Sequence, residues 1–110
     1  MKLPAADKAF VDIRKLRDYC LNPDHPRGKH KARVFATALG MGAEHAEELR
    51  EVLLTAAVGA EAVLLKKDQY GRRYLIECPV SGPTGNGVLR SLWIVRQGEE
   101  FPRLLTCYLA

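Results

Sequence analysis

The chain has no apolar run approaching the ~18 residues that a membrane span needs, and its first residues, Met-Lys-Leu-Pro-Ala-Ala-Asp, show neither an apolar core nor a cleavage pattern. No membrane partner and no signal peptide are expected, and the cytoplasm is the expected compartment. Cysteine is sparse. Cys20, Cys78 and Cys107 are widely spaced, odd in number and without a Cys-x-x-Cys pair. That pattern excludes a disulfide framework and a tetrahedral zinc site and reads as reduced, structural thiols. The one glycine-rich stretch, Gly82-Pro83-Thr84-Gly85-Asn86-Gly87, lacks the lysine and the following helix of a phosphate loop. No pair of carboxylates comes with supporting metal ligands, so no metal and no cofactor are expected.

What is present is a chain of 110 residues, the size of one domain over residues 1–110. Such a chain buries roughly 60–70% of its unfolded surface. An apolar fraction of 47% with 27% charged residues excludes a disordered chain. Charge is unevenly spread. Residues 1–35 hold nine Lys/Arg against four Asp/Glu, residues 36–65 one against five, and residues 66–110 seven against four. The densest run lies between Asp24 and Phe35, where His25, Arg27, Lys29, His30, Lys31 and Arg33 follow one another with no acid among them. Such a field suits a phosphate-rich partner, and its two histidines can exchange protons near neutral pH.

The periodicity predicts helices first and strands after. Ala9–Val11 reads as a short edge strand. Asp12 caps a helix carrying Ile13, Leu16 and Cys20 that ends near Leu21, before the Asn22-Pro23 breaker. A second helix spans roughly Lys29 to Leu39, with Ala32, Phe35, Ala36 and Leu39 as its buried stripe and Gly40 as its stop. A third runs from about Ala43 to Ala57, burying Ala46, Leu49, Leu53 and Ala56 and presenting Glu44, Glu47, Glu48 and Glu51 to solvent. The period then drops to two. Strands are expected at Ala62–Lys66, Arg72–Val80, Val88–Arg96 and Arg103–Leu109, with 81–87 a long, flexible hairpin loop. On the last strand, Thr106 and Tyr108 are expected to share a face with Leu104, opposite Arg103, Leu105 and Cys107. The fold class is α+β, with N-terminal helices packed on one face of a roughly four-stranded antiparallel sheet.

The residues that can carry chemistry follow from this layout. His25 or His30 is a candidate general base, though a histidine before Pro26 also suits a turn. Lys29, Lys31 and Arg33 are candidate phosphate ligands beside the backbone N–H groups of a helix start, or else a solvated helix face. Thr106 and Tyr108 form a hydroxyl pair on the last strand. Arg73, Arg90, Arg96 and Arg103, with Tyr70, Tyr74 and Trp93, can give a basic, aromatic sheet surface, although the apolar neighbours of Trp93 favour a core anchor.

One long pattern runs through Leu3-Pro4, Ala6-Asp7-Lys8-Ala9, Lys15-Leu16, Asp18-Tyr19, Leu21-Asn22-Pro23, His25-Pro26 and Gly28–Phe35. It continues through Tyr70-Gly71, Arg73-Tyr74, Gly82-Pro83, Trp93-Ile94-Val95, Pro102-Arg103-Leu104, Thr106 and Tyr108. It resembles a family of small, uncharacterised bacterial domains known by a domain-of-unknown-function label, which occur alone or at the C-termini of polymorphic toxins. The family usually has Asn where this chain has Ala5. Its order of elements is similar to that of the barnase–EndoU–RelE-like ribonucleases. The resemblance implies a ribonuclease toxin that acts without metal through attack of the 2′-hydroxyl and leaves a cyclic phosphate. RNA and a small antitoxin protein are the implied partners, and a homodimeric copy is a further expectation that the resemblance does not supply. His25, His30, Lys31, Thr106 and Tyr108 would be catalytic, and Lys29, Arg33, Arg73 and Arg103 would hold substrate. A non-catalytic nucleic-acid or protein-binding module is the alternative, and an antitoxin whose Glu44–Glu51 helix mimics nucleic acid is a third reading.

Overall fold

The computed structural model describes residues 1–110. The lead-in folds through a short 3-10 turn, Ala6–Lys8, preceded by Ala5 in the left-handed region at φ 48°. The expected edge strand reduces to a single parallel bridge between Phe10 and Arg103. It is made by Phe10 N–H donating to the Pro102 carbonyl at 2.9 Å and Leu104 N–H donating to the Phe10 carbonyl at 3.0 Å.

Asp12 caps the first helix as its position suggests. Its Oδ1 accepts the Arg14 N–H at 3.0 Å. This helix, α1 (Ile13–Lys15), gives way at once to a π-helical turn, Leu16–Cys20, closed by Leu21 N–H on the Leu16 carbonyl at 2.8 Å. The wide turn buries Leu16 and Cys20 while bringing Tyr19 to the margin of the core. Helix α2 (Lys29–Leu39) ends at Gly40, which takes the left-handed conformation at φ 69°. Its buried residues are Ala32, Phe35 and Leu39. Ala36, expected in the stripe, is exposed, because α2 meets β3, β4 and the π turn along a narrow edge. Helix α3 (Ala46–Gly59) follows a 3-10 turn at Ala43–His45 and buries Ala46, Leu49, Leu53, Ala56 and Ala57. Its glutamates face solvent.

The strands are β1 (Ala62–Asp68), β2 (Gly71–Gly82), β3 (Gly85–Arg96) and β4 (Pro102–Leu109). They form one antiparallel sheet in the order β1-β2-β3-β4. The architecture is therefore α+β, helices first and an open meander after. Tyr74, Ile76, Val80, Leu89, Ser91, Trp93 and Val95 turn toward the helices and are buried. Each fully buried large side chain there contributes about 1.5–3 kcal/mol. Trp93 is a core anchor: it pairs with Tyr74 across the strands, and its Nε1–H donates to Ser91 Oγ at 2.9 Å. Ser91 Oγ in turn donates to the Ile76 carbonyl at 3.4 Å.

Two stretches depart from the expected pattern. The long loop at 81–87 is instead a tight hairpin, with Gly82 paired to Gly85 and only Pro83-Thr84 between them. Its glycines serve close approach. A Cβ on Gly82 would lie 2.3 Å from the Leu39 carbonyl oxygen, and one on Gly85 the same distance from that of Ala38. The hairpin tip thus docks on the end of α2, where Thr84 N–H also donates to the Leu39 carbonyl at 3.1 Å. The second departure is a bulge in β4. Trp93 pairs with Leu104 and Leu92 with Thr106, so Leu105 is the extra residue. Strict alternation fails there. Leu104 and Cys107 both enter the core, and Thr106 and Tyr108 no longer share a face with Leu104.

Candidate functional site

A cleft of about 590 Å³ opens where α1, the π turn, the loop before α2 and β4 meet. It is lined by Asp12, Arg14, Lys15, Asp18, Tyr19, His25, Lys31, Leu105 and Thr106. Local rules place each wall. Arg14 and Asp18, and Lys15 and Tyr19, are four residues apart, so they share the outward face of the turn that buries Leu16 and Cys20. Gly28 brings the second wall in: a Cβ there would lie 2.3 Å from the Tyr19 carbonyl oxygen. With no side chain in the way, α2 starts against the π turn and Lys31 arrives over the Tyr19 ring.

Lys31 is the centre of the arrangement. Its Nζ donates to Thr106 Oγ1 at 2.9 Å. It also lies 5.1 Å from the centre of the Tyr19 ring and 5.9 Å from that of Tyr108, within reach of the attraction between a cation and an aromatic face. Thr106 stands immediately after the extra residue Leu105 of the bulge, and both line the cleft. Behind Thr106, Cys20 Sγ lies 3.8 Å from the same hydroxyl oxygen. Cys20 and Cys107 are both fully buried and both free thiols.

His25 occupies the rim. Its ring meets that of Tyr19 edge-on, centroids 4.6 Å apart. Its Nδ1 accepts two backbone N–H groups, those of Arg27 and Gly28, each at 3.0 Å. This network assigns the proton to Nε2. Two expectations change as a result. Three N–H groups leading into α2, expected to be free for an anion, are taken by His25: its ring accepts those of Arg27 and Gly28, and its carbonyl accepts Lys29 N–H at 3.0 Å, which leaves the N–H groups of His30 and Lys31 at the helix start. With its lone pair occupied, His25 faces the cleft as a hydrogen-bond donor and not as a base.

The remaining sequence candidates lie elsewhere. Lys29, His30 and Arg33 are exposed on α2 and do not line the cleft. Arg73 is paired with Asp68 at 2.8 Å. Arg103 is paired with Glu99 at 2.8 Å and lies over Phe101 and Phe10. Tyr108 stands opposite Arg90 on β3, whose guanidinium pairs with Glu77 at 3.2 Å. The structure therefore gathers His25, Lys31 and Thr106, with Tyr108 beside them. It adds Arg14, Lys15, Asp18, Tyr19 and Cys20, none of which the sequence singled out as a site residue. The four-residue spacing of the α1 and π-turn residues was the available signal.

The cleft is electropositive. The Arg14 side chain and then its backbone N–H pull Asp12 down to about 2. Arg17, bonding to both carboxylate oxygens of Asp18, holds that carboxyl below its usual range. Both acids are thus ionised and already matched by arginine. Lys15, Arg27, Lys29, Lys31 and Arg33 have no acidic partner, whereas eight of the chain's other Lys and Arg side chains do. Of these five, Lys15 and Lys31 line the cleft, and unpaired cations with hydrogen-bond donors round a concavity suit a phosphate group. No helix is long and apolar enough to cross a membrane.

Comparison with the curated proteins gives no match. Among solved structures, one chain of a contact-dependent growth inhibition toxin–immunity protein complex from Klebsiella pneumoniae 342 is similar, with a TM-score of 0.70 and 21% identity. The match covers 91% of this chain and 98% of that one. At that identity the likeness establishes the shared fold. The family model of a domain of unknown function, DUF6883, matches residues 2–110, and the chain belongs to that family.

Proposed function

We propose that this domain is a ribonuclease that acts as the toxin of a toxin–antitoxin pair, with the scissile phosphodiester seated in the cleft at Lys31. The observation that carries this reading is the Lys31–Thr106 contact of 2.9 Å at a concavity that also presents His25 and Tyr19. A chain of the same fold occurs in a complex of a toxin with its immunity protein, which supports a domain that works with a cognate protein; on the toxin reading that protein would cover the cleft.

The reaction is attack by the 2′-oxygen on phosphorus with loss of the 5′-oxygen. One O–P bond forms and one breaks, one proton leaves the 2′-hydroxyl, and one reaches the 5′-oxygen. The products are a 2′,3′-cyclic phosphate and a 5′-hydroxyl. Lys31 lies where negative charge grows on the phosphorane, and cations already in position there lower the barrier at little reorganisation cost. It is also the proton donor to the leaving 5′-oxygen. His25 donates through Nε2–H to a non-bridging oxygen. Lys15 and Arg14 hold the flanking phosphates, and Arg27, Lys29 and Arg33, free of acidic partners, extend the path of the strand along α2.

The test is incubation of the purified chain with total RNA in the presence of a chelator, followed by analysis of the new termini. Fragments ending in a 2′,3′-cyclic phosphate, absent with Lys31→Met, are the expected result. Intact RNA that is nevertheless retained in a salt-sensitive complex would replace this reading with a binding module. Growth arrest on expression of the chain alone separates toxin from antitoxin.

A further inference from the structure

The proposed reaction needs an acceptor for the 2′-hydroxyl proton, and His25 cannot serve because its lone pair is held by two backbone N–H groups. Asp12 and Asp18 are poor acceptors because their arginine partners lower the proton affinity of both carboxylates. We propose that Cys20 takes this proton through Thr106: the 2′-hydroxyl gives its proton to Thr106 Oγ1 as the Thr106 hydroxyl hydrogen passes to Cys20 Sγ. The inference rests on the ribonuclease reading above.

The geometry is a short line from cleft to core. Thr106 lines the cleft. Its oxygen accepts from Lys31 Nζ at 2.9 Å, so its own hydrogen turns elsewhere. Cys20 Sγ, 3.8 Å away and wholly inaccessible to solvent, is the neighbour placed to receive it. A threonine hydroxyl accepts on one side while donating on the other, which is what a relay requires. Donors converge on the sulfur. The neighbouring Cys107 is the foremost influence, the Thr106 hydroxyl at 3.8 Å adds to it, and the Lys31 ammonium contributes its charge. Burial opposes them, yet together they bring Cys20 down to about 6. Cys107 moves the opposite way, well above the usual thiol range, because of Cys20 beside it and because it is buried. Cys78 is also raised, by burial. One thiol of the three is thus drawn toward the thiolate, at the one place where a cation and a bridging hydroxyl separate it from the cleft.

Atoms and charge balance over the turnover. The 2′-oxygen bonds to phosphorus as the P–O5′ bond breaks. The 2′ proton enters the relay and leaves Cys20 as a thiol, and Lys31 gives a proton to the 5′-oxygen. Return of the Cys20 proton to Lys31 by the same hydroxyl restores both groups. No oxidant or reductant takes part, and Cys20 forms no bond to substrate, so its role is to position and store a proton for Thr106.

Two readouts test this. The first needs no RNA: thiolate absorbance at 240 nm is followed against pH in the folded chain. Wild type is expected to show a single step with a midpoint near 6, which is absent in Cys20→Ser and moves to higher pH in Lys31→Met. The second is the pH–rate profile of RNA cleavage. The kcat of wild type should rise through the same midpoint and then level. Cys20→Ala and Cys20→Ser should lose about tenfold or more in kcat with KM little changed, and neither should keep the levelling. A wild type that cuts RNA with no thiolate step below pH 8, or with a profile that Cys20→Ser leaves intact, overturns the relay alone. A wild type that cuts no RNA overturns the ribonuclease reading and the relay with it. Should the Cys20 variants fail to fold, the wild-type titration and rate profile decide by themselves, since the relay demands a common midpoint.

Discussion

Replacing Lys31 by Met separates what this residue does for the fold from what it does for the cleft. Met keeps most of the apolar stem and removes the ammonium. The fold loses one partly buried hydrogen bond to Thr106, a net ~0.5–1.5 kcal/mol. It also loses two ring contacts, at 5.1 and 5.9 Å, of about 0.5–1 kcal/mol each in such surroundings. Relief from desolvating the ammonium offsets part of the loss. A net change of about 1 kcal/mol follows, small beside the ~5–15 kcal/mol that keeps a domain folded. Cleavage should fall far more, by about 10²–10³-fold, because a cation aimed at developing charge has been removed. Urea denaturation followed by fluorescence of the single tryptophan, Trp93, measures the first quantity. Initial rates on a short RNA at matched folded fraction measure the second. A folded Lys31→Met protein that cuts within about threefold of wild type would refute the placement of the phosphate at Lys31.

Other perturbations have equally definite outcomes. Ser91→Ala should cost about 1–3 kcal/mol in a denaturant titration with unchanged m-value, because the buried Trp93 Nε1–H loses its acceptor. Ala5→Asn should stabilise the chain by about 0.5–1 kcal/mol and raise the melting temperature, since Ala5 sits in the left-handed region that Asn tolerates. Asp12, at about 2 in the folded chain against 3.8 unfolded, adds stability that is complete above the unfolded value and lost as the pH falls through the folded one. Acid titration by circular dichroism should therefore show Asp12→Asn unfolding less steeply than wild type across that window. Replacing Arg27, Lys29 and Arg33 together by Gln should weaken RNA binding and reduce the slope of log affinity against log salt by about 2.

The α+β class and the bounds of α2 were legible because local signals agreed with the packing. Pro26 and Gly28 precede that helix, Gly40 ends it, and Phe35 and Leu39 keep one side apolar. The alternation of Tyr74, Ile76 and Val80 likewise marked the inner face of β2. The hairpin at 82–85 was misread because glycines signal flexibility in isolation, whereas here they let the strands approach the Leu39 and Ala38 carbonyls. That fact belongs to α2 and not to the hairpin. The site was half legible. His25, Lys31 and Thr106 stood out by type, but the lone pair of His25 and the partner of Thr106 are set by tertiary contacts. Cys20 looked like an ordinary apolar position at helical spacing. Only its neighbours Cys107, Thr106 and Lys31 give it another character.

The extra residue in β4 carries a consequence for how this scaffold can change. Trp93 with Leu104, Leu92 with Thr106 and Ser91 with Cys107 are the ladder partners on either side of Leu105. Excising Leu105 would leave every one of those pairings available to a plain strand. The sheet would close as before, while the wall of the cleft that Leu105 and Thr106 form together would lose one of its two residues. Length at one point of one strand thus sets the wall of the cleft, while the paired core residues on either side keep their partners.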